Sequence, residues 1–337
     1  MIHSDAFAGV ERHVARLAGA QAARGDQVVV IGGDQTRMRE ESSAGVVHRP
    51  APTAWQTLRA VRAAARGRPD VVHAHMTTAE AVSVVATLGT GIPVVTTRHF
   101  GRPRGSTTRA KRVMRLLATR ILAQIAISEY VAALVEGPCV VVHPGVPVQP
   151  DSRPAVERDR TVLVVQRLEP EKATDDAIRL FALSGLAQLG WRLEIAGSGT
   201  ELAKLTRLAT EQGVGESTAF LGHRADVAEL MRTSAVLVAP CPVEGLGLTV
   251  VEAMSAGLPI VAAGSGGHLE TLKGLPGTLL YESTERGMAR AASGLSRLAL
   301  DEGLREVAAG ELQQAQRERF TLDRQARDTE AVYRSVL

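Results

Sequence analysis

Val243-Glu244-Gly245-Leu246-Gly247-Leu248-Thr249-Val250-Val251-Glu252-Ala253-Met254 decides the reading of this chain. It follows Ser234-Ala235-Val236-Leu237-Val238-Ala239, an apolar run of the kind that forms a buried parallel strand. Pro240 and Pro242 break the chain, and Gly245 and Gly247 allow close backbone approach to a ligand. Helical periodicity then runs from Leu248 to Ala256, until Gly257 and Pro259 end it. The free N–H groups at such a helix start suit an anion, usually a phosphate. Glu244 and Glu252 flank that start. Carboxylates would repel an anion, so they are expected to accept hydrogen bonds from hydroxyls. Hydroxyls beside a phosphate point to a sugar nucleotide.

A second element is needed, because acidic residues and glycine turns occur at many helix starts. The β-branched run Thr161-Val162-Leu163-Val164-Val165 supplies it, ending in Gln166-Arg167-Leu168 and then Glu169-Pro170-Glu171-Lys172. Arg167 and Lys172 are thereby placed in a loop beyond the carboxyl end of a strand, where open parallel sheets bind ligands.

These stretches, with others in the same order, resemble family 4 of the retaining glycosyltransferases, which have the GT-B fold. The others are Ala8-Gly9-Val10-Glu11-Arg12-His13-Val14, Asp70-Val71-Val72-His73-Ala74-His75 and Thr96-Thr97-Arg98-His99. Further along come Ile127-Ser128, His143-Pro144-Gly145-Val146, Ala196-Gly197-Ser198-Gly199 and Phe220-Leu221-Gly222. The resemblance implies an α/β protein of two Rossmann-like domains with parallel sheets facing a central cleft.

It also implies roles. Arg167 and Lys172 would stabilise the departing diphosphate with the N–H groups of Gly245, Leu246, Gly247 and Leu248. Glu252 would hold ribose hydroxyls and Glu244 would face the donor sugar. Gly9, Gly197 and Arg224 would complete the donor site, with His99 near the reacting centre and His13 and His75 on the acceptor side. Residue by residue the read of His99 alone leaves a capping or core histidine equally open. Front-face attack would retain anomeric configuration, with the leaving phosphate taking the acceptor proton. No metal or cofactor is expected, and no Asp-x-Asp pattern occurs in the sequence. The implied donor is a nucleoside-diphosphate hexose of mannose, glucose or N-acetylglucosamine type. The acceptor would be a lipid-linked, polysaccharide or small-molecule hydroxyl in cell-envelope glycan synthesis. A non-catalytic sugar-nucleotide-binding protein and a sugar-nucleotide epimerase are the alternatives. A nicotinamide oxidoreductase is disfavoured, because the run 196–202 lacks the third glycine of its fingerprint.

The pattern departs from the family in places. His143-Pro144-Gly145-Val146-Pro147 has no acidic residue after the valine, Ala173 follows Lys172 where glycine is usual, and Ala8 replaces the first loop glycine. The family's full first strand also precedes the glycine loop, whereas only Met1 to Ser4 stand before Asp5 here. We read this as a late start or a shortened chain.

Composition agrees. The 337 residues are 45% hydrophobic and 22% charged, which suits two soluble globular domains. Two cysteines are too few for a disulfide framework, and a net charge of +3 with 3% aromatics does not suggest nucleic acid. No apolar run reaches membrane-spanning length, and a cytoplasmic protein, peripheral on the inner face of the plasma membrane, is expected. The peripheral contact is assigned to a basic stretch holding Arg98, Arg102, Arg104, Arg109, Lys111, Arg112, Arg115 and Arg120. In it a helix over 109–123 is expected to bury Val113, Leu116, Leu117 and Ile121.

Strands are expected at 27–31, 71–74, 93–96, 125–127 and 140–143, then at 161–165, 192–196, 219–221, 236–239 and 259–262. Helices fall at 10–24, 55–66, 175–184, 200–211, 226–232 and 248–256. The expected domains are 1–147 and 159–318, with a linker at 148–158 and a last segment, 319–337, returning to the first domain.

Overall fold

The computed structural model describes residues 1–4, 7–42, 45–105 and 107–337. The chain forms two compact units, one of Met1–Gly145 with Phe320–Leu337 and the other of Val146–Arg319.

In the first unit α1 (Gly9–Ala23), β1 (Val29–Ile31), α2 (Gln35–Glu41), β2 (Val47–Arg49) and α3 (Ala54–Ala65) come first. They are followed by β3 (Val72–His75), α4 (Thr77–Thr87), β4 (Val94–Arg98), α5 (Thr108–Ala118), β5 (Ile121–Ala126), α6 (Glu129–Leu134) and β6 (Val140–Val141). β1 pairs with β2, and β3 to β6 form a parallel sheet in sequence order. Ile2 sits against both groups of strands. It bridges His75 in parallel and donates its N–H to Ile31 O at 3.0 Å, and its side chain is buried. Asp5 and Ala6 of the loop before Gly9 lie outside the described residues.

The second unit contains β7 (Asp159–Val165), α7 (Thr174–Ser184), β8 (Arg192–Ala196), α8 (Leu202–Glu211), β9 (Thr218–Gly222) and α9 (Val227–Thr233). It continues with β10 (Ser234–Ala239), α10 (Leu248–Ser255), β11 (Ile260–Ala263), α11 (Gly267–Leu272), β12 (Thr278–Tyr281), α12 (Glu285–Leu300) and α13 (Glu302–Arg319). All six strands are parallel, in the order β12-β11-β10-β7-β8-β9. Their near-continuous apolar sequences follow from burial on both faces. Val162, Leu163 and Val164 of β7 and every residue of β10 are buried. On α12, Met288, Ala291, Ala292, Leu295 and Leu298 recur at helical spacing and enter the same core as Phe181 and Ile195.

The chain leaves β7 toward β8 and β9, then returns to lay β10 on the other side of β7. That reversal opens a crevice outside the carboxyl ends of β7 and β10, where ligands bind in open α/β sheets.

The last helix, α14 (Leu322–Arg334), belongs to the first unit and packs on α1. Gly145 permits the docking, since a Cβ there would stand 2.3 Å from the Thr321 carbonyl. Its N–H donates to Gln325 Oε1 at 2.8 Å, and Arg24 of the α1 C-cap pairs with Asp323 and Glu330.

Three expectations are corrected. The segment 148–158 is packed into the second unit rather than free. Arg158 is buried and donates to the carbonyls of Met231, Ser234, Ala256 and Gly257, which satisfies the end of α10. The helix expected over 109–123 stops at Ala118, because Ile121 to Ala126 form the strand β5. Its inward face is also different. Met114 is its buried residue, while Val113 is 56% exposed and Leu116 72%. Lastly, Arg98 and Arg104 leave the basic surface. Arg104 Nε lies 2.6 Å from Glu80 Oε2 and Arg98 Nη1 3.2 Å from Glu136 Oε2, with both guanidinium groups buried. Glu80, itself 1% exposed, also accepts from Thr96 Oγ1 at 2.7 Å. A buried carboxylate demands such partners, and the chain supplies two arginines from one basic run.

Candidate active site

In the second unit the loops after β7 and β10 meet through one ion pair. Lys172 Nζ stands 2.6 Å from Glu244 Oε2, both side chains being largely buried. Burial opposes each charge, but the partner overrides it. Glu244 is held below the ordinary carboxylate value by Lys172, and Lys172 above the ordinary ammonium value by Glu244. Cys241, on the same loop, has its thiol pushed up to about 11 by burial and then by the Glu244 charge.

Gly247 opens α10 with φ +93, a conformation that L side chains rarely adopt. A Cβ there would stand 2.9 Å from His268 Cδ2. Leu246 is buried and fastens the turn, with its carbonyl accepting from Thr271 Oγ1 at 3.0 Å. Gly245 and Leu248 are half-buried beside it, and Glu252 lies half-buried on α10, little more than one turn inside.

His268 was missed by motif reading. It is 1% exposed on α11, and Nδ1 lies 3.1 Å from Ala263 O. That geometry makes Nδ1 the donor and leaves Nε2 as an acceptor beside Gly247. Glu244 raises its basicity, yet burial prevails and the ring lies below the ordinary histidine value. The glycine run Gly264-Ser265-Gly266-Gly267, between strand and helix, is the signal that marks it. Gly267 N–H donates to Glu244 O at 2.9 Å, so this turn supports the loop that carries Glu244.

Arg167 lies on the Lys172 loop but turns to Glu171, 2.8 Å away, and is 61% exposed in its side chain. Gly197 packs rather than opens the site. A Cβ would stand 1.8 Å from Gln166 O at φ +148, and the adjoining backbone is tied by Leu168 N–H to Ser198 O at 2.9 Å. This glycine loop therefore props up the segment that carries Arg167. Arg224, beyond β9, makes a two-pronged pair with Asp226 at 2.7 and 2.5 Å and is exposed.

The first unit gathers histidines. The two-residue period of β3 and β4 places His73 with His75, and Thr97 with His99, on matching faces. His75 Nδ1 lies 3.0 Å from His99 Nε2, and His13 of α1 meets His99 edge-on at a centroid distance of 4.7 Å. His73 is held by Tyr333 OH and Thr97 Oγ1, each at 2.7 Å. Burial disfavours the charged form of all four rings, driving His13 down to about 4 and the others well below their ordinary value. Gly9, at the start of α1, has nothing within 4 Å of a would-be Cβ. The helix start there is open, with Ala8 N–H donating to Glu11 Oε2 at 2.9 Å.

A doubly wound sheet with a cation–carboxylate pair and a glycine-led helix at its switch point is the arrangement of a nucleotide-type site, and the first unit is likewise built of parallel strands and helices. The chain shares this architecture with solved glycosyltransferases. HepE from Anabaena, in complex with UDP, superposes with a TM-score of 0.79 at 20% identity, covering 99% of this chain and 98% of that one. A glycosyltransferase from Rickettsia africae gives 0.78 at 15%, covering 99% and 97%. These likenesses establish the GT-B fold.

Family models extend the match to sequence, with "Glycosyltransferase Family 4" over residues 7–149 and "Glycosyl transferases group 1" over 147–309. The chain belongs to this glycosyltransferase family. An uncharacterized glycosyltransferase of Haemophilus influenzae is 34% identical over 113 residues, 34% of this chain. The D-inositol 3-phosphate glycosyltransferase of Mycobacterium tuberculosis is 36% identical over 159 residues, 42% of this chain. In each case the match spans 32% of the relative's length.

Proposed function

We propose that this protein is a retaining hexosyltransferase that moves a hexosyl unit from a nucleoside-diphosphate sugar to a hydroxyl acceptor. The Lys172–Glu244 pair at the switch point carries the proposal. As the bond from the anomeric carbon to the phosphate oxygen breaks, negative charge grows on the diphosphate. Lys172 and the N–H groups at the start of α10 stabilise that charge, with Arg167 on the same loop as a further cation. These groups take the place of a divalent metal at the diphosphate. The acceptor oxygen bonds to the anomeric carbon on the face the diphosphate leaves, and its proton passes to the departing phosphate oxygen. Glu244 is engaged with Lys172, which suits it to orient that cation and accept from a sugar hydroxyl rather than to attack carbon. Glu252 holds the ribose, and Gly9 is assigned to donor binding. His99 donates to the sugar, with His13 and His75 on the acceptor side.

The acceptor is a glycan, lipid-linked or small-molecule hydroxyl. Contact with an anionic membrane surface is assigned to α5. Arg109, Lys111, Arg112 and Arg115 are exposed there beside Val113 and Leu116, a mixture suited to headgroups and acyl boundary. Among the described residues, no helix is long and apolar enough to cross a membrane.

The test is a thermal-shift screen of UDP, GDP and ADP hexoses, followed by measurement of nucleoside diphosphate released with and without acceptor. Acceptor-dependent release with retained anomeric configuration is expected. Tight donor binding with no release, across alcohol and glycan acceptors, would show a binding protein instead. Donor conversion without acceptor would show an epimerase.

A further inference from the structure

Three of the clustered histidines share a feature that a hydrogen-bonded pair does not require. His13 from α1, His75 from the end of β3 and His99 just past β4 each offer one ring nitrogen to the same small cluster. These three nitrogens all lie within 4.8 Å of one another, and the three side chains are at most 7% exposed. Zinc bound by imidazole at its usual length in tetrahedral geometry separates ligand nitrogens by roughly 3.3 Å. His75 Nδ1 and His99 Nε2 are already 3.0 Å apart. With all three nitrogens within 4.8 Å of one another, the remaining separations exceed the tetrahedral value by at most roughly 1.5 Å.

The surroundings favour a cation with nitrogen ligands. The set holds imidazoles alone, the donor type that suits zinc, cobalt, nickel and copper rather than magnesium or calcium. Neighbouring groups confine the rings. Gln325 takes the Gly145 N–H on Oε1 at 2.8 Å and so turns its amide nitrogen, a donor, to His13, 3.3 Å from Nε2 and 3.5 Å from Nδ1. His73, with both nitrogens engaged by Tyr333 and Thr97, packs on His75 at a centroid distance of 4.3 Å. Both neighbours limit rotation of the rings they pack on, and neither is an acceptor for a ligand's second N–H.

We propose that His13, His75 and His99 bind one divalent cation of the zinc class, with three protein ligands and a fourth position for water or a hydroxyl oxygen. The binding stands on this geometry and does not rest on the transfer reading. It does bear on it, because the metal would engage His99, which is assigned above to the sugar. Metal loading and turnover therefore exclude each other, and the cation is not the counter-charge of the diphosphate.

Cobalt reports the site without any assay of activity. Untagged, chelator-stripped full-length protein is titrated with Co²⁺ while visible d–d absorption is followed. The expected result is a four-coordinate spectrum that saturates at one equivalent and is abolished by zinc. His13→Gln and His75→Gln should each weaken binding by about a hundredfold or more, since even an outer partner is worth about 10–100-fold. His223→Gln, exposed in the second unit, should leave it unchanged. Circular dichroism identifies which variants are folded, and His13→Gln serves if His75→Gln is not. Folded wild type with no cobalt bands overturns the proposal. So does an unchanged spectrum in a folded His13→Gln protein.

Discussion

Lys172 Nζ and Glu244 Oε2, 72 positions apart in sequence, stand 2.6 Å from one another across the switch point of the second sheet. If this cation meets the leaving diphosphate, Lys172→Ala should lower turnover by roughly a hundredfold or more, the usual cost of one lost charge-stabilising donor. Glu244→Gln should lower it as well, by freeing Lys172 from its anchor. Release of nucleoside diphosphate under saturating donor measures both. Near-normal rates in Lys172→Ala would remove it from the mechanism.

The same pair fixes a pH window. Glu244 has a lowered folded value, so its contribution is full above the ordinary carboxylate value of 4.5 and is lost as pH falls through the folded one. Lys172 has a raised folded value, so its contribution is full below 10.5 and is lost as pH rises through the folded one. Arg167, Cys241 and His268 are the other titratable groups facing the pair. Melting of the second unit should therefore fall at both ends of the window, and Lys172→Met should flatten both limbs. Limbs of unchanged slope in that variant would count against the pair as their source.

Gly197 and Gly9 make opposite predictions for the same substitution. Gly197→Ala forces a Cβ to within 1.8 Å of Gln166 O at φ +148, and should destabilise the second unit by about 1–3 kcal/mol or more. Gly9→Ala meets nothing within 4 Å, so the melt should hold while donor KM rises. Urea denaturation and donor kinetics separate the two, and a stable Gly197→Ala protein would contradict the packing role.

Glu80 holds Arg104, with Thr96 as a further donor, inside the first unit. Removing one member of a buried ion network leaves an uncompensated charge at a cost of about 3–5 kcal/mol. Glu80→Ala should lower stability by that order in urea titration, with the second unit unaffected. A loss below about 1 kcal/mol would assign the network to the solvated class.

On α5, Val113 and Leu116 are exposed among cations, so the double change to serine should weaken binding to anionic vesicles while leaving the melt in place. Cosedimentation with phosphatidylserine and with neutral vesicles tests this. Equal binding of the double variant would move the contact elsewhere.

The switch-point strand, the glycine turn and its helix were legible in the sequence because their signals are local. A β-branched run, a glycine requiring φ above zero and a helix stop each lie within a few residues. The pairing of Lys172 with Glu244 was legible only as two candidates, since sequence spacing carries no distance across a sheet. Arg167 shows the limit. Its type and position suit a diphosphate, but the fold turns it to Glu171.

On α5 the error was one of context. Val113, Leu116 and Leu117 have helical spacing, yet which stripe faces inward depends on where neighbours such as α4 lie, and Met114 is the residue that is buried. Ile121 met a neighbouring strand and joined it. His268 escaped notice because a lone histidine has no periodic signature.

By itself the sequence determined the two-unit α/β class, the parallel strands and the family of the chain, since these rest on periodicity and on residues adjacent in the chain. Only the tertiary structure decided which charges are solvated. Arg98 and Arg104 belong to a basic run, but a buried carboxylate 18 and 24 positions away, Glu80, draws them inside. The same holds for the histidines, which come from α1, from β3 and from just past β4, and converge because parallel pairing sets β3 beside β4. Desolvation depends on what the whole chain packs around a group, and no local stretch of sequence contains that information.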